Sequence, residues 1–468
     1  MERQRARNVR LALERLGPLY IKVGQILSTR PDFVPTAMIR EFRKLHDEVS
    51  ATPFSDFEPV LVEELGTDWK LHFREIDTTT PLGTASLAQV YHAILQNGKP
   101  AAVKIQRPGV RSIVLQDMSI LRKAARLMAR TAPRFNAVID VEAMLEVVFE
   151  AMEPEYDFTA EARNMNQGRA SVQRYKHLSV PEVLLATERV LIQSLAPGVS
   201  IRDADPKSFT SAERMAIGRD LLAYLYRGFF IDHYFHADPH PGNIFVQPGH
   251  KASLIDWGMV GRVDRRTSML MVQILLALAQ NDGHGLAKGW IEMGRATPWA
   301  DISQFTVDMA RLVPKIVGAS LEELDFGITL TAVLEFSTRR GIQTSPAVAI
   351  LGKAFGNMEG SIRYLAPELS MVQVFQDELR AIMIDLSRQL VSQTQVARNA
   401  MELIIGVTAA GDQLRSVLRD LSNREFTLLG QDGKGYQRAE RESRRTDRML
   451  LVLVAAALWL EHRRKSGR

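Results

Sequence analysis

The sequence predicts an α+β fold of two lobes, with a helical extension ahead of the first and additional helices after the second. Three observations carry this expectation. Val90 to Leu95 and Ala101 to Gln106 are β-prone runs joined around Asn97-Gly98, a favoured hairpin dipeptide. Residues 234–258 hold a shorter pair of β-prone runs with Asp and Asn at their ends. After Gly258 apolar residues recur at helical spacing almost throughout, in Ser268 to Gln280, Gln304 to Val317, Ser345 to Tyr364 and Val372 to Leu421. At 468 residues the chain is too long for one small core, and its 46% apolar and 24% charged composition is that of a folded protein.

The first helical stretch, residues 7–30, is interrupted at Gly17-Pro18, and Pro18 suits the first turn of a second helix. On that helix Lys22 and Gln25 stand three apart and share a face, which is also how a helix presents its solvated side. Phe54 to about Arg74 is amphipathic, and the β-hairpin follows. Lys104 lies between Val103 and Ile105, so strand alternation turns it to the opposite face from both. From there a lysine can reach the α- and β-phosphates of a nucleotide, or simply guard an edge strand. The loop ahead of the first strand, Gly83-Thr84-Ala85-Ser86, is small enough to lie close over phosphates but is not a G-x-G-x-x-G loop.

Residues 112–130 and 141–170 read as helices, the second interrupted at Pro154. At about 100° per residue, Asp157 and Glu161 fall on one face while Glu155 is turned about 120° from Glu161. These acids serve two directions, and one of them could pair with Lys104; acids early in a helix are also ordinary dipole partners. Val180 to Ser194 is β-prone, a turn follows at Leu195 to Gly198, and Ser211 to Phe235 reads as helix leading into the second hairpin.

That hairpin carries the chemistry. Asp238 is followed five residues later by Asn243, and Asp256 opens a D-x-G. Phosphoryl transfer asks for one carboxylate at the acceptor, with an amide oxygen and a second carboxylate holding Mg²⁺ against the phosphates. The spacing is that of a kinase catalytic loop and metal loop. Asp and Asn are also common turn formers, and a chain of this length holds on the order of one D-x₄-N by chance.

Composition narrows the alternatives. Cysteine is absent, which excludes disulfide frameworks, thiolate metal sites and cysteine nucleophiles. The formal charge of +5 is matched by residues 438–468 alone, with nine Lys/Arg against four acids. A basic nucleic-acid surface on the folded body is therefore not expected. The charged N-terminus has no apolar core segment and does not read as a secretory signal. The tail holds twelve uncharged, mostly apolar residues, Met449 to Leu460, between arginine-rich flanks. A helix of that length is about 18 Å long, short of a roughly 30 Å hydrocarbon core, so peripheral or re-entrant membrane attachment is expected rather than a simple span.

Taken together, these motifs resemble the UbiB (AarF-like) family of atypical kinases, related to the mitochondrial ADCK proteins. The resemblance covers about residues 10–370. LGPLYIKVGQILSTRPDFVP resembles the family's K-x-G-Q extension at Lys22, Gly24 and Gln25, and PLGTASLAQVY its alanine-rich loop. AAVKIQRPGV places the nucleotide lysine at Lys104; EPEYDFTAEA matches the E-x-D motif at Glu155 and Asp157, followed by the helix-C type glutamate Glu161. FHADPHPGNIFV and LIDWG supply Asp238, Asn243 and Asp256, with Trp257 where Phe is usual, a difference that packing rather than metal binding would feel.

The resemblance implies a protein-kinase-like fold. The expected parts are an N-terminal helical extension at 1–50, a small nucleotide-binding lobe at 51–195 and a large catalytic lobe at 196–370. Additional helices at 371–430 and a polar linker with a basic apolar tail at 431–468 complete it. It also implies ATP and Mg²⁺ as ligands, with Lys104 paired to Glu161, Asn243 and Asp256 on the metal, and Asp238 at the acceptor. The K-x-G-Q helix would lie where a peptide binds, Lys22 near the E-x-D acids. The acceptor is then a small molecule, a lipid such as a quinone precursor, or water, in support of ubiquinone or lipid metabolism at a membrane, on its cytoplasmic side in a bacterium. Two alternatives stay open: a nucleotide-dependent scaffold of a lipid-biosynthesis complex, and a true protein kinase.

Overall fold

The computed structural model describes residues 2–27, 36–42, 44–45, 51–85, 87–131, 141–297, 299–318, 326–344 and 346–391. By internal packing the chain divides into residues 1–375 and 376–468. The expected tail, 431–468, lies outside the described residues, as does most of 371–430. Among the described residues no helix is long and apolar enough to cross a membrane.

Three helices open the chain: α1 (Glu2–Leu16), α2 (Pro18–Leu27) and α3 (Thr36–Phe42). The break between the first two falls at Gly17, whose φ of +112° favours glycine, and Pro18 starts α2. Helix α4 (Glu58–Leu65) then covers an antiparallel sheet. Its strands are β1 (Phe73–Ile76), β2 (Gly83–Thr84), β3 (Ala88–Leu95), β4 (Pro100–Gln106), β6 (Val183–Ala186) and β7 (Val190–Ser194). They lie in the order β1-β3-β4-β7-β6, with β2 on the edge of β3, and β5 (Leu178–Ser179) belongs elsewhere. Gly98 makes the expected β3–β4 turn with φ +80°.

Alternation along β4 sets the layers. Val103 and Ile105 pack under α4 with Phe57, Leu61, Trp69, Tyr91, Val190 and Ile192. Arg189, in the β6–β7 turn, pins α4 from outside through Glu63 and Glu64, each at 2.6 Å. The chain continues through α5 (Val110–Thr131) and α6 (Val141–Tyr156) to α7 (Phe158–Val172), and Lys104 points to the other face of the sheet, towards α7. The break between α6 and α7 comes at Asp157, three residues beyond Pro154, where an extended residue caps α7.

The second sheet, β5-β11-β10-β8, joins β8 (Val199–Ser200), β10 (Ile244–Val246) and β11 (Ala252–Leu254). Its β10–β11 pair is the polar hairpin, with Ile244 opposite Leu254. The short β5, from within the stretch expected for the small lobe, pairs in parallel with β11. Helix α8 (Ser211–Arg227) is shorter than the periodicity suggests. It runs into a π turn at Gly228–Asp232, and His233 turns left-handed (φ 55°). Tyr234–His236 then forms β9 against β12 (Val260–Arg262). The pairing of β9 with β12 ends the helix, and Gly228 permits the close return, since the Tyr234 carbonyl lies 2.8 Å from where a Cβ would stand; all three β9 side chains are buried.

Helices make up most of the remainder: α9 (Arg265–Ala279), α10 (Gly283–Met293), α11 (Ile302–Gly318), α12 (Phe326–Arg339), α13 (Pro346–Leu365) and α14 (Met371–Val391). A small ribbon of β13 (Arg295–Ala296) and β14 (Ile342–Gln343) ties α10 to α12. The apolar run at Met269 to Ala279 lies in α9, where Leu270, Met271, Ile274 and Leu275 are buried.

Candidate active site

Lys104 projects from the face of β4 opposite the small-sheet core and meets Glu161 of α7, Nζ to Oε2 2.8 Å. Glu161 is 2% exposed, so its charge depends on this partner. The Lys104 ammonium also lies 3.8 Å from Asp256 Oδ1 and 5.1 Å from the centre of the Phe158 ring. Asp157, which opens α7, is engaged as its cap and accepts from Thr159 N and Oγ at 2.9 and 2.6 Å.

Asp256 follows β11 with φ +55°, a left-handed conformation uncommon for a residue with a Cβ. Desolvation opposes its charge, but Lys104 and then Lys22 outweigh it, and its carboxyl is held below the usual carboxylate range. The next residue, Trp257, is fully buried and donates its indole N–H to Leu254 O at 3.0 Å. It stacks on Tyr234 with centroids 6.2 Å apart, and meets α7 through the Asn164 amide, which donates to the Trp257 carbonyl at 3.0 Å.

Gly168, two turns beyond Glu161 on α7, completes that contact. A Cβ there would stand 2.2 Å from the Trp257 ring. Gly168→Ala is therefore expected to push α7 off the Asp256 turn and to destabilise the protein by about 1–3 kcal/mol. Trp257→Phe in the same background makes room and should recover part of the loss. Thermal unfolding of the four variants of this cycle checks it; strictly additive effects would show that the two residues do not meet.

Asp238 and Asn243 belong to one loop between β9 and β10. The Asn243 amide donates Nδ2–H to the Asp238 carbonyl at 3.1 Å, and His240 caps the turn by accepting from Gly242 N at 3.0 Å. His236 ties this loop to the other half of the site. Its Nδ1 lies 3.1 Å from Asp238 N and its Nε2 lies 3.0 Å from Ile255 O. A backbone N–H can only donate, so Nδ1 is the acceptor and Nε2 carries the proton. Burial pushes the His236 pKa down and keeps the ring neutral.

The Asp238 carboxylate is held by α13. Lys353 Nζ lies 2.9 Å from Oδ2 and Asn357 Nδ2 donates to Oδ1 at 2.6 Å. Burial works against the charge, yet Lys353 prevails and the pKa falls to about 2. Lys22 of α2, half-buried, also acts on both Asp238 and Asp256 through its charge. Lys104, Glu161 and Asp256 thus form one charge cluster, and Asp238 and Asn243 a second, with His236 between them.

The other expected residues are placed as follows. Gly83 and Thr84 form β2, opposite Val90 and Gln89, and Ala85 accepts from Arg107 Nε at 2.9 Å. Nothing lies within 4 Å of the Cβ position at Gly83, so packing does not demand glycine there. Ser86 and the side chains of Gln25 and Glu155 lie outside the described residues. His236, Lys353, Asn357 and Asn164 were not foreseen. The H-x-D spacing of His236 and Asp238 was a usable signal; for Lys353, 115 positions from its partner, periodicity offered none.

The donor set fits Mg²⁺ carried in with a nucleotide. Asn243 commits its amide nitrogen to Asp238, which leaves its oxygen for a cation, and Asp256 adds one carboxylate. Among the described residues no cluster of three or more His, Cys, Asp or Glu could cage a metal by itself. One or two protein oxygens completed by phosphate and water is how Mg²⁺ is commonly held beside a nucleotide.

An antiparallel small sheet whose lysine is paired to a glutamate on a neighbouring helix, set against a D-x₄-N loop and a D-x-G turn, defines a kinase-like domain. The pattern of the ABC1 atypical kinase-like domain matches residues 44–289. An uncharacterized protein of Synechocystis sp., slr0889, is 32% identical over 75% of this chain and 88% of its own length. The probable protein kinase UbiB of Marinobacter nauticus is 29% identical over 78% of this chain and 68% of its own. The chain belongs to the ABC1 atypical kinase-like family, which includes UbiB. Among solved structures, that of Rv3197 from Mycobacterium tuberculosis, in complex with erythromycin, shares the fold. Its TM-score is 0.52 at 24% identity, covering 75% of this chain and 90% of that one.

Proposed function

We propose that this protein binds Mg-ATP and transfers its terminal phosphoryl group to a small molecule, a lipid or water, in support of quinone or lipid metabolism at a membrane. The observation that carries the reading is the Lys104–Glu161–Asp256 charge cluster, tied through His236 to Asp238 and Asn243. In this reading Lys104 contacts the α- and β-phosphates, with Glu161 fixing its direction. Asn243 and Asp256 hold the metal, and Gly83, Thr84, Ala85 and Ser86 lie over the phosphates. Mg²⁺, when bound, neutralises phosphate charge as it moves towards the leaving oxygen. Asp238 sits where the acceptor O–H arrives, ionised and able to accept its proton.

Helix α2 serves as a lid on the acceptor side. Lys22 supports this, because its charge acts on both Asp238 and Asp256. A lid there disfavours a peptide acceptor. Gln25, Glu155 and Asp157 belong to the same proposed regulatory surface. The membrane partner is a lipid or quinone precursor, alone or within a lipid-biosynthesis complex, reached through the tail at 431–468.

Incubation with γ-labelled ATP and membrane lipid extract tests the reading. Label is expected in free phosphate or lipid and not in protein. Lys22→Ala should change turnover by about tenfold, the worth of one charged contact, and let label enter protein without unfolding the chain. Label in protein from the unaltered chain would favour a true protein kinase; label in free phosphate alone, whatever lipid is supplied, is what the nucleotide-dependent scaffold expects, and label nowhere would overturn the reading.

A further inference from the structure

Helix α13 lies beyond residues 44–289, the region matched by the family pattern, yet it supplies the groups that hold Asp238. Lys353, Asn357 and Ser361 stand at four-residue intervals and share one helix face. Each meets the loop of Asp238. Lys353 takes carboxylate Oδ2 at 2.9 Å, Asn357 donates to Oδ1 at 2.6 Å, and Ser361 Oγ donates to the Pro239 carbonyl at 2.9 Å. Both carboxylate oxygens therefore have a donor from the same rigid element. Lys353 is 19% and Asp238 23% exposed, so the pair is largely withdrawn from water without being sealed off from it.

The sequence around Asp238 explains why the cation comes from so far away. Between Arg227 and Lys251 the chain has no Lys or Arg, so apart from its histidines the loop has no basic side chain to offer Asp238. A carboxylate this withdrawn from water is costly without a donor or a cation beside it, and Lys353 supplies the cation. Without donors on both oxygens it could also rotate about χ2, which is a broad torsion for aspartate.

We propose that Lys353 and Asn357 are positioning residues for Asp238, clamping its carboxylate in one orientation towards the acceptor. This rests on the reading of Asp238 as the acceptor-side group. Their contribution belongs to the phosphoryl-transfer step and not to nucleotide binding, because neither touches the Lys104–Glu161–Asp256 cluster that faces the phosphates.

Steady-state ATP turnover by the full-length chain tests it, with the Mg-ATP-induced thermal shift recorded for every variant. Lys353→Met is expected to lower kcat by about 10- to 100-fold with KM for ATP and the thermal shift nearly unchanged. Lys353→Arg, which keeps a cation in reach, should recover most of the loss, and Asn357→Ala should lower kcat by a smaller factor. In an Asp238→Asn background Lys353→Met should cost nothing further, since its target is gone. An equal loss in both backgrounds, or a loss confined to KM, would overturn the positioning role. If Lys353→Met does not fold, Asn357→Ala decides by the same comparison. Wild-type turnover by Asp238→Asn alone would instead sink the reading of Asp238, a result distinct from failure of the clamp.

Discussion

Lys104→Met is expected to abolish stabilisation of the protein by Mg-ATP and to lower kcat/KM for ATP by about 10²- to 10³-fold. That is the usual cost of removing one preorganised charge from a phosphate or oxyanion site. The difficulty is that Lys104 also neutralises Glu161, which is 2% exposed. Breaking such a pair from one side costs about 3–5 kcal/mol, so the nucleotide-free variant will itself melt early. A poor thermal shift could then reflect a damaged fold. The Lys104→Met/Glu161→Gln double variant separates the two effects, since a neutral amide does not need the ammonium. It should regain melting temperature without nucleotide and still show no shift with Mg-ATP. A normal shift in the double variant would mean that Lys104 does not meet the phosphates.

How much of this was legible in the sequence depends on the range of the contacts. The β3–β4 hairpin and the outward face of Lys104 follow from Asn97-Gly98 and strict alternation, both local rules, and the structure reproduces them. So does the β10–β11 pair, which brings Asn243 and Asp256 together at its open end, where Ile255 N donates to the Asn243 carbonyl at 2.9 Å. The end of α8 was misjudged because Tyr234 and Phe235 continue an apolar helical pattern. What stops the helix is β9 pairing with β12, and that partner arrives only at Val260–Arg262. The Asp238 clamp was not legible for the same reason. Lys353 and Asn357 look like the polar side of an amphipathic helix until α13 is laid against the loop.

His236 marks the boundary between the two cases. Its position two residues before Asp238 is local, but its function, bridging Asp238 N to Ile255 O, depends on where β11 ends. Trp257 is similar. As a large aromatic after Asp256 it signals burial from sequence alone. Its requirement for a glycine on α7 appears only when Gly168 is found against the indole.

Asp256→Asn is expected to cost more Mg²⁺-dependent nucleotide affinity than Asn243→Ala, by on the order of 100-fold against about tenfold. Even the groups that support metal ligands typically cost 10–100-fold when removed, and Asp256 supplies the charge itself. The geometry gives the two residues different second duties. Asp256 sits 3.8 Å from Lys104, so its neutralisation also leaves that ammonium less compensated before nucleotide arrives. That should partly favour phosphate, and it predicts an affinity for nucleotide without Mg²⁺ that holds or rises in Asp256→Asn. Asn243 instead fixes the Asp238 carbonyl through Nδ2, so Asn243→Ala should loosen the loop and lower kcat more than affinity. Titration calorimetry with ATP, with and without Mg²⁺, reads both effects. The reverse order of losses, or equal losses in the absence of Mg²⁺, would remove Asp256 from the metal and leave it only as a counter-charge to Lys104.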